Sequence, residues 1–326
     1  MANVSHRLAQ LAGYMPAVPT AFDRDGEIDC AAFERYCDRQ IEEGAAALVV
    51  CGTTGEAPTL TRAEHDILVR IAVDVAGGRV PIIAGAGANS TAHAIELAQD
   101  AELAKADTIL SVVPYYNKPT QRGLHAHFRA IAEATSLPML LYDVPSRSAC
   151  GLADETVARL AEHPRIVGLK DATGDAARPL RLRALLGSNF KLFSGDDASA
   201  LAFILQGGDG CISVTSNLAP ALCRRIFLAC ARGQLPDARR LAGLVARLTA
   251  VLFRESNPTP LKYALSLRHL MSSAVRLPLV EPSEQTRREI EAVMAGFAPS
   301  DLISANIERA QDGGICAIAS RRTSPG

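Results

Sequence analysis

The sequence predicts a (β/α)8 barrel followed by a C-terminal helical appendage. Short apolar runs recur eight times between residues 13 and 217, with amphipathic stretches between them, and after residue 217 the helical stretches continue without a strand. Strands joined by helical crossovers lie parallel in a sheet buried on both faces. Eight such strands close a barrel, and about 220 residues fits that unit.

The strands are expected at 14–22, 46–52, 81–87, 108–114, 138–145, 166–172, 191–196 and 211–216. The first crossover helix is expected over 30–43. The second, 62–75, carries Ile67, Leu68 and Ile71 at helical spacing, and Thr61 ahead of Glu64 is placed to cap it. Helices follow over 91–103 and 120–134. An open doubly wound sheet is the competing fold. It would want a glycine-rich phosphate turn after the first strand, and Thr20-Ala-Phe-Asp-Arg-Asp-Gly26 is not one. Gly85-x-Gly87-x-Asn89 opens a helix but lacks a third glycine, and reads as a tight turn. Beyond residue 217, 220–232 completes the eighth unit, while 236–254, 260–272 and 283–294 form the appendage. The resulting division is a barrel over 1–233, an appendage over 234–298, and an extended tail over 299–326, poorly ordered at its end.

A chain of 326 residues, 48% hydrophobic and 21% charged, has the means to bury one large core. Its net charge of −1 and lack of a basic run exclude an electrostatic footprint for nucleic acid or an anionic membrane. Residues 1–13 show no signal-peptide pattern, and no apolar run approaches spanning length, so a soluble cytoplasmic protein is expected. Eight cysteines without a C-x-x-C pair read as structural thiols in a reducing compartment. His125-x-His127 alone would not hold a metal, and a mechanism without metal or cofactor is expected.

Arginine supplies most of the positive charge; the only lysines are Lys105, Lys118, Lys170, Lys191 and Lys262. Four read as surface or connecting residues. Lys170 instead ends an apolar run, and an amine, unlike a guanidinium, can lose its proton and attack a carbonyl. Ile166, Gly168 and Lys170 share one face by alternation; with Val167 and Leu169 toward the helices, Lys170 points into the barrel mouth. Leu140 and Tyr142 share a face in the same way.

Polar residues gather at the C-terminal strand ends, where barrel active sites lie. They are Gly52-Thr-Thr-Gly-Glu56, Pro114-Tyr-Tyr-Asn117, Tyr142-Asp-Val-Pro-Ser-Arg147, Lys170-Asp171 and Ser194-Gly-Asp-Asp197. Burial disfavours the charged form of an amine, which can then form a Schiff base with a keto acid. Such chemistry needs hydroxyls to relay protons, and backbone N–H groups at a Gly-Thr-Thr-Gly turn suit a carboxylate.

Together with Gly168-x-Lys170, Gly210-x-Ile-Ser-Val214 and Asn257-Pro-x-Pro-x-Lys262, these motifs resemble the dihydrodipicolinate synthase / N-acetylneuraminate lyase family of Schiff-base aldolases, from Pro16 to about Gly296. Thr53-Thr54 and Arg147 are similar to the synthase branch. The resemblance implies that Lys170 condenses with pyruvate and that the enamine attacks aspartate β-semialdehyde, giving 4-hydroxy-tetrahydrodipicolinate on the route to diaminopimelate and lysine. It implies a relay of Tyr142, Thr53 and Tyr116, the last reaching a neighbouring subunit's site. It also implies Thr53 and Thr54 on the pyruvate carboxylate, Arg147 on the semialdehyde carboxylate, and Gly195 and Ile212 along the pocket. A homotetramer built from tight dimers is implied as well.

The chain departs from the pattern at Asp143, Ser148 and Asp171, where Asn, Thr and Glu are usual. Asp143 is expected close to Arg147, where it would alter the second-substrate pocket. That keeps open another aldehyde partner: a sugar acid, a hydroxyproline-derived keto acid or an aromatic aldehyde. A non-catalytic keto-acid sensor is the alternative of a different class. His93 stands where feedback-regulated relatives carry a glutamate, and Ala57 and Arg62 replace polar partners, while Asn89, His65 and Tyr115 remain. Weak or absent inhibition by lysine is expected.

Overall fold

The protein, seen in a computed structural model, is described over residues 11–298 and at Leu302. Eight parallel strands follow the order β1-β8-β7-β6-β5-β4-β3-β2. They are β1 (Gly13–Pro16), β2 (Leu48–Val50), β3 (Ile82–Gly85), β4 (Thr108–Val112), β5 (Met139–Asp143), β6 (Ile166–Asp171), β7 (Lys191–Ser194) and β8 (Gly210–Ser213). The ends of that order meet: Ala17 bridges Val49 in parallel, and Val18 N–H donates to Val49 O at 2.8 Å. The sheet is therefore a closed barrel, and the open doubly wound alternative falls.

Alternation along each strand divides the core in two. Met15, Val49, Ile83, Leu110, Leu140, Phe193 and Ile212 fill the barrel interior. Their neighbours Tyr14, Leu48, Ile82, Ile109, Leu141, Leu169, Leu192 and Cys211 pack outward against the helices. Burying one such side chain fully contributes about 1.5–3 kcal/mol, so a one-residue slip of register is strongly disfavoured.

One departure from alternation matters. Between β5 and β6 the register shifts, pairing Met139 with Ile166 but Leu140 with Gly168. This bulge turns Ile166 out to the helix layer and Val167 in, against the expected face for both. Beyond it the pattern recovers: Leu169 is outward, and Lys170 and Tyr142 are register partners.

The crossover helices are α1 (Cys30–Glu42), α2 (Arg62–Ala76), α3 (Thr91–Leu103), α4 (Gln121–Ala134), α5 (Pro145–Ser148), α6 (Asp154–Ala161), α7 (Arg178–Leu186), α8 (Ala200–Leu205) and α9 (Pro220–Ala231). Thr61 caps α2 in a capping box with Glu64. Three further helices follow, α10 (Leu235–Leu252), α11 (Thr259–Ser266) and α12 (Glu284–Met294), with Ser283 capping the last.

The observed strands stop earlier than their apolar runs. Val18, Ala21 and Phe22 beyond β1 are at most 1% exposed, so burial does not mark where pairing ends. Gly85 and Gly87 serve close packing at the barrel top, more than the tight turn expected of them. A Cβ on Gly85 would lie 2.0 Å from Cys51 O, and one on Gly87 2.4 Å from Val112 N. The tail over 299–326 lies outside the described residues except for Leu302, which is buried in the outer core. Among the described residues no helix is long and apolar enough to cross a membrane.

Candidate active site

Lys170 lies near the C-terminal end of β6, 6% exposed, with Nζ 4.2 Å from the ring centroid of its register partner Tyr142. On the other side its register partner is Phe193, fully buried. Lys170 makes no ion pair among the described residues. Gly195 gives it room: a Cβ there would fall 2.9 Å from Lys170 Cε and 3.0 Å from Cγ. Ile212 packs with Tyr142 and Phe193 in the barrel interior, 1% exposed.

A cavity of about 460 Å³ opens on the Tyr142 side, lined among others by Thr53, His65, Tyr115, Tyr142, Arg147 and Ser148; Lys170, Thr54, Gly195 and Ile212 are not among its lining residues. Thr53 arrives on the turn after β2, which is closed by Glu56 N–H donating to Thr53 O at 3.1 Å. Thr54, 2% exposed, accepts from Asn257 Nδ2 at 2.9 Å. Arg147 stands on α5, where its Nη2 donates to Asn257 O at 3.5 Å. His65 Nε2 lies 2.6 Å from Gly85 O; since a carbonyl only accepts, that nitrogen carries the proton. Burial lowers the pKa of this imidazole below its usual value. Among the described residues no group of His, Cys, Asp or Glu is arranged to hold a metal ion.

Tyr116 does not join the others. It is 88% exposed with a left-handed φ of 75°, directed away from its own cavity, whereas Tyr115 lines the wall. A left-handed conformation at a bulky residue is uncommon and persists only where the surroundings or function hold it.

Two expectations are corrected. Lys262 is no surface residue: it is fully buried, its Nζ 2.8 Å from Glu56 Oε1 and 4.3 Å from the Phe22 ring centroid. Burial lowers its pKa, and Glu56 opposes that shift. Glu56 Oε2 also accepts from Arg276 N–H at 2.9 Å, so the Gly-Thr-Thr-Gly turn is tied to the C-terminal helices. The scarcity of lysine that singled out Lys170 applied equally to Lys262, and its place in Asn257-Pro-x-Pro-x-Lys262 was the available signal.

Asp143, in turn, is not beside Arg147. With Tyr142 inward, alternation sends Asp143 to the outer face, fully buried, 2.7 Å from Arg178 Nη1. Burial raises its pKa, and Arg178 opposes the rise. Arg178 also lies 2.8 Å from Asp154 and 3.4 Å from Asp171, the residue after Lys170. Asp143 and Asp171 are register partners, so one guanidinium clamps the strand ends that carry Tyr142 and Lys170. Arg178 was missed in the sequence, because nothing local marks a contact across 35 residues.

A model of the dihydrodipicolinate synthetase family matches residues 10–296. A 4-hydroxy-tetrahydrodipicolinate synthase from Gluconobacter oxydans is 50% identical over 282 residues, 86% of this chain and 95% of the relative. The solved dihydrodipicolinate synthase of Acinetobacter baumannii, chloride-inhibited and complexed with pyruvate, is 43% identical with a TM-score of 0.85, covering 87% of this chain and 98% of that one. Another solved chain, described as the first monomeric dihydrodipicolinate synthase variant, is 38% identical with a TM-score of 0.85, covering 88% and 96%. Since the match takes in the barrel, the lysine-bearing strand and the helices that reach back to the Gly-Thr-Thr-Gly turn, the chain belongs to the dihydrodipicolinate synthetase family.

Proposed function

We propose that this chain condenses pyruvate with aspartate β-semialdehyde to give 4-hydroxy-tetrahydrodipicolinate, the product for which its relative is named. The observation that carries the reading is Lys170 beside Tyr142, an amine without an ion-pair partner facing a phenol at a cavity wall. The Lys170 amine adds to C2 of pyruvate, and loss of water leaves a Schiff base. Loss of a proton from C3 gives the enamine, whose C3 forms the carbon–carbon bond to the aldehyde carbon. The α-amine of the semialdehyde then attacks C2, displaces Lys170 and closes the ring, with one water released overall. The protonated imine is the electron sink, so no external cofactor is required.

In this reading Tyr142 and Thr53 relay protons, and Tyr116 of a neighbouring copy completes the relay. Thr53 and Thr54 bind the pyruvate carboxylate, Arg147 binds that of the semialdehyde, and Gly195 and Ile212 shape the pocket. Tyr116 stands exposed and turned outward, which supports exchange across an interface and with it a homotetramer, a dimer of dimers. The description of one relative as a monomeric variant implies that the family assembles. The reading includes a cytoplasmic location; Cys30, Cys37, Cys51, Cys150, Cys211 and Cys223 carry free thiols, as suits a reducing compartment. Asp143, which favoured another aldehyde, faces away from the cavity and no longer supports one.

Borohydride reduction with pyruvate should add mass at Lys170, disappear in Lys170→Ala and survive in Lys262→Met. Turnover with both substrates, coupled to the downstream reductase and followed by NADPH loss, should vanish in Lys170→Ala. A folded protein that forms no adduct overturns the mechanism. An adduct without turnover of the semialdehyde would move the reading to another aldehyde.

A further inference from the structure

Asn257 precedes α11 and is 5% exposed, yet it touches two residues given substrate carboxylates above. Its side-chain Nδ2 donates to Thr54 Oγ1 at 2.9 Å, and its backbone carbonyl accepts from Arg147 Nη2 at 3.5 Å. Its Oδ1 is buried and has no hydrogen-bond partner among the described residues. An orphaned buried acceptor is a destabilising arrangement, so the amide is oriented for what its nitrogen does.

A threonine hydroxyl has one proton to donate and two lone pairs with which to accept. While Asn257 Nδ2 donates to one lone pair, the Thr54 proton cannot point at the amide nitrogen and is left for another acceptor. A carboxylate bound at Thr54 requires that polarity, because it only accepts. The backbone of the turn is held separately, by the Glu56–Lys262 ion pair and by Thr20 Oγ1 donating to Gly55 O at 2.6 Å. Asn257 therefore acts on the direction of the hydroxyl more than on the place of the loop.

We propose that Asn257 is a positioning residue that keeps the Thr54 hydroxyl donating toward the pyruvate carboxylate, and so sets affinity for pyruvate separately from affinity for the second substrate. The proposal rests on the reading of Thr54 as a pyruvate ligand. It predicts a split between substrates, because Arg147 is held by a backbone carbonyl that side-chain substitution leaves in place.

The test is steady-state kinetics of the full chain with each substrate varied, alongside melting curves. Asn257→Asp replaces the donor by an acceptor that captures the Thr54 proton and sets a negative charge beside it. It should raise KM for pyruvate by about tenfold or more, the scale of one hydrogen bond to a charged group. Asn257→Ala should raise it by less, and KM for the semialdehyde should stay within about twofold in both. On a Thr54→Val background, Asn257→Ala should raise pyruvate KM no further. An unchanged pyruvate KM in Asn257→Asp, an equal rise for both substrates, or a further rise on the Thr54→Val background would overturn the assignment. If Asn257→Asp does not fold, the alanine variant and its double mutant decide. If the parent protein forms the pyruvate adduct but does not turn over the semialdehyde, the aldehyde reading fails. The pyruvate concentration giving half-maximal borohydride trapping then tests Asn257 independently.

Discussion

Replacing Lys262 by methionine isolates the worth of the ion pair beneath the Gly-Thr-Thr-Gly turn. Lys262 and Glu56 are 0% and 1% exposed at the side chain and 2.8 Å apart. Removing one member of such a pair leaves a buried charge uncompensated, which costs about 3–5 kcal/mol. Methionine fills most of the lysine stem, so little cavity cost is added. Glu56 also keeps the Arg276 N–H at 2.9 Å, which holds the expectation near the lower end, about 3 kcal/mol. For a chain of 326 residues that is a fall of roughly 4–5 °C in Tm. Lys262→Met combined with Glu56→Gln removes the stranded charge and should recover part of the loss. Thermal unfolding followed by circular dichroism, on both single variants and the double, measures this directly. A Tm for Lys262→Met within 2 °C of the parent, or a double variant less stable than either single, would refute the account of Lys262 as a structural cation.

Three further outcomes follow from geometry and charge. Burial pushes the His127 imidazole down from 6.5 to about 4. Its neutral form therefore stabilises the fold fully above pH 6.5, and that stability, roughly 3 kcal/mol at most, is lost as pH falls toward 4. Urea unfolding of His127→Phe across pH 4–7 should show a shallower acid limb, and an unchanged slope would contradict this. Gly195→Ala places a methyl 2.9 Å from Lys170 Cε; by displacing the amine it should lower kcat about a hundredfold in a folded protein, and near-parental kcat would refute it. Finally, sub-millimolar L-lysine should not reach half-inhibition. His93 stands where a glutamate would pair the ligand's amine, and Arg62 on the cavity wall is engaged by Asp100 at 2.8 Å. Half-inhibition in that range would show that the cavity binds lysine by other groups.

The strand count, the closed barrel and the inward face of Lys170 were legible because each rests on local periodicity. The bulge that turns Val167 inward was not, since it is set by how β6 pairs with β5 and leaves no mark in the spacing of apolar residues. Asp143 was misplaced for a related reason: only three residues separate it from Arg147 along the chain, but alternation at Tyr142 puts the aspartate on the opposite face of the sheet. The partners of Thr54 and Glu56 lie about 200 residues away, just before and within α11, in Asn257-Pro-x-Pro-x-Lys262, a motif whose spacing does not say what it touches. Tyr116 illustrates a further limit. One chain exposes it, and the task proposed for it requires a second copy.

Two buried lysines, one on a barrel strand and one on α11, show why residue type alone could not assign the chemistry. Lys262 is the more buried of the two, and desolvation disfavours its charged form. Its nitrogen, however, is committed to Glu56, and the carboxylate favours the ammonium that a nucleophile must give up. Lys170 has an aromatic face and no ion pair among the described residues, with a glycine where a side chain would crowd it. The same turn depends on both: Lys262 anchors it through Glu56, and Thr53, three residues earlier, lines the cavity beside Tyr142. The fixed cation thus holds the wall of the cavity beside the lysine proposed to react, and exchanging their environments would abolish both proposed tasks.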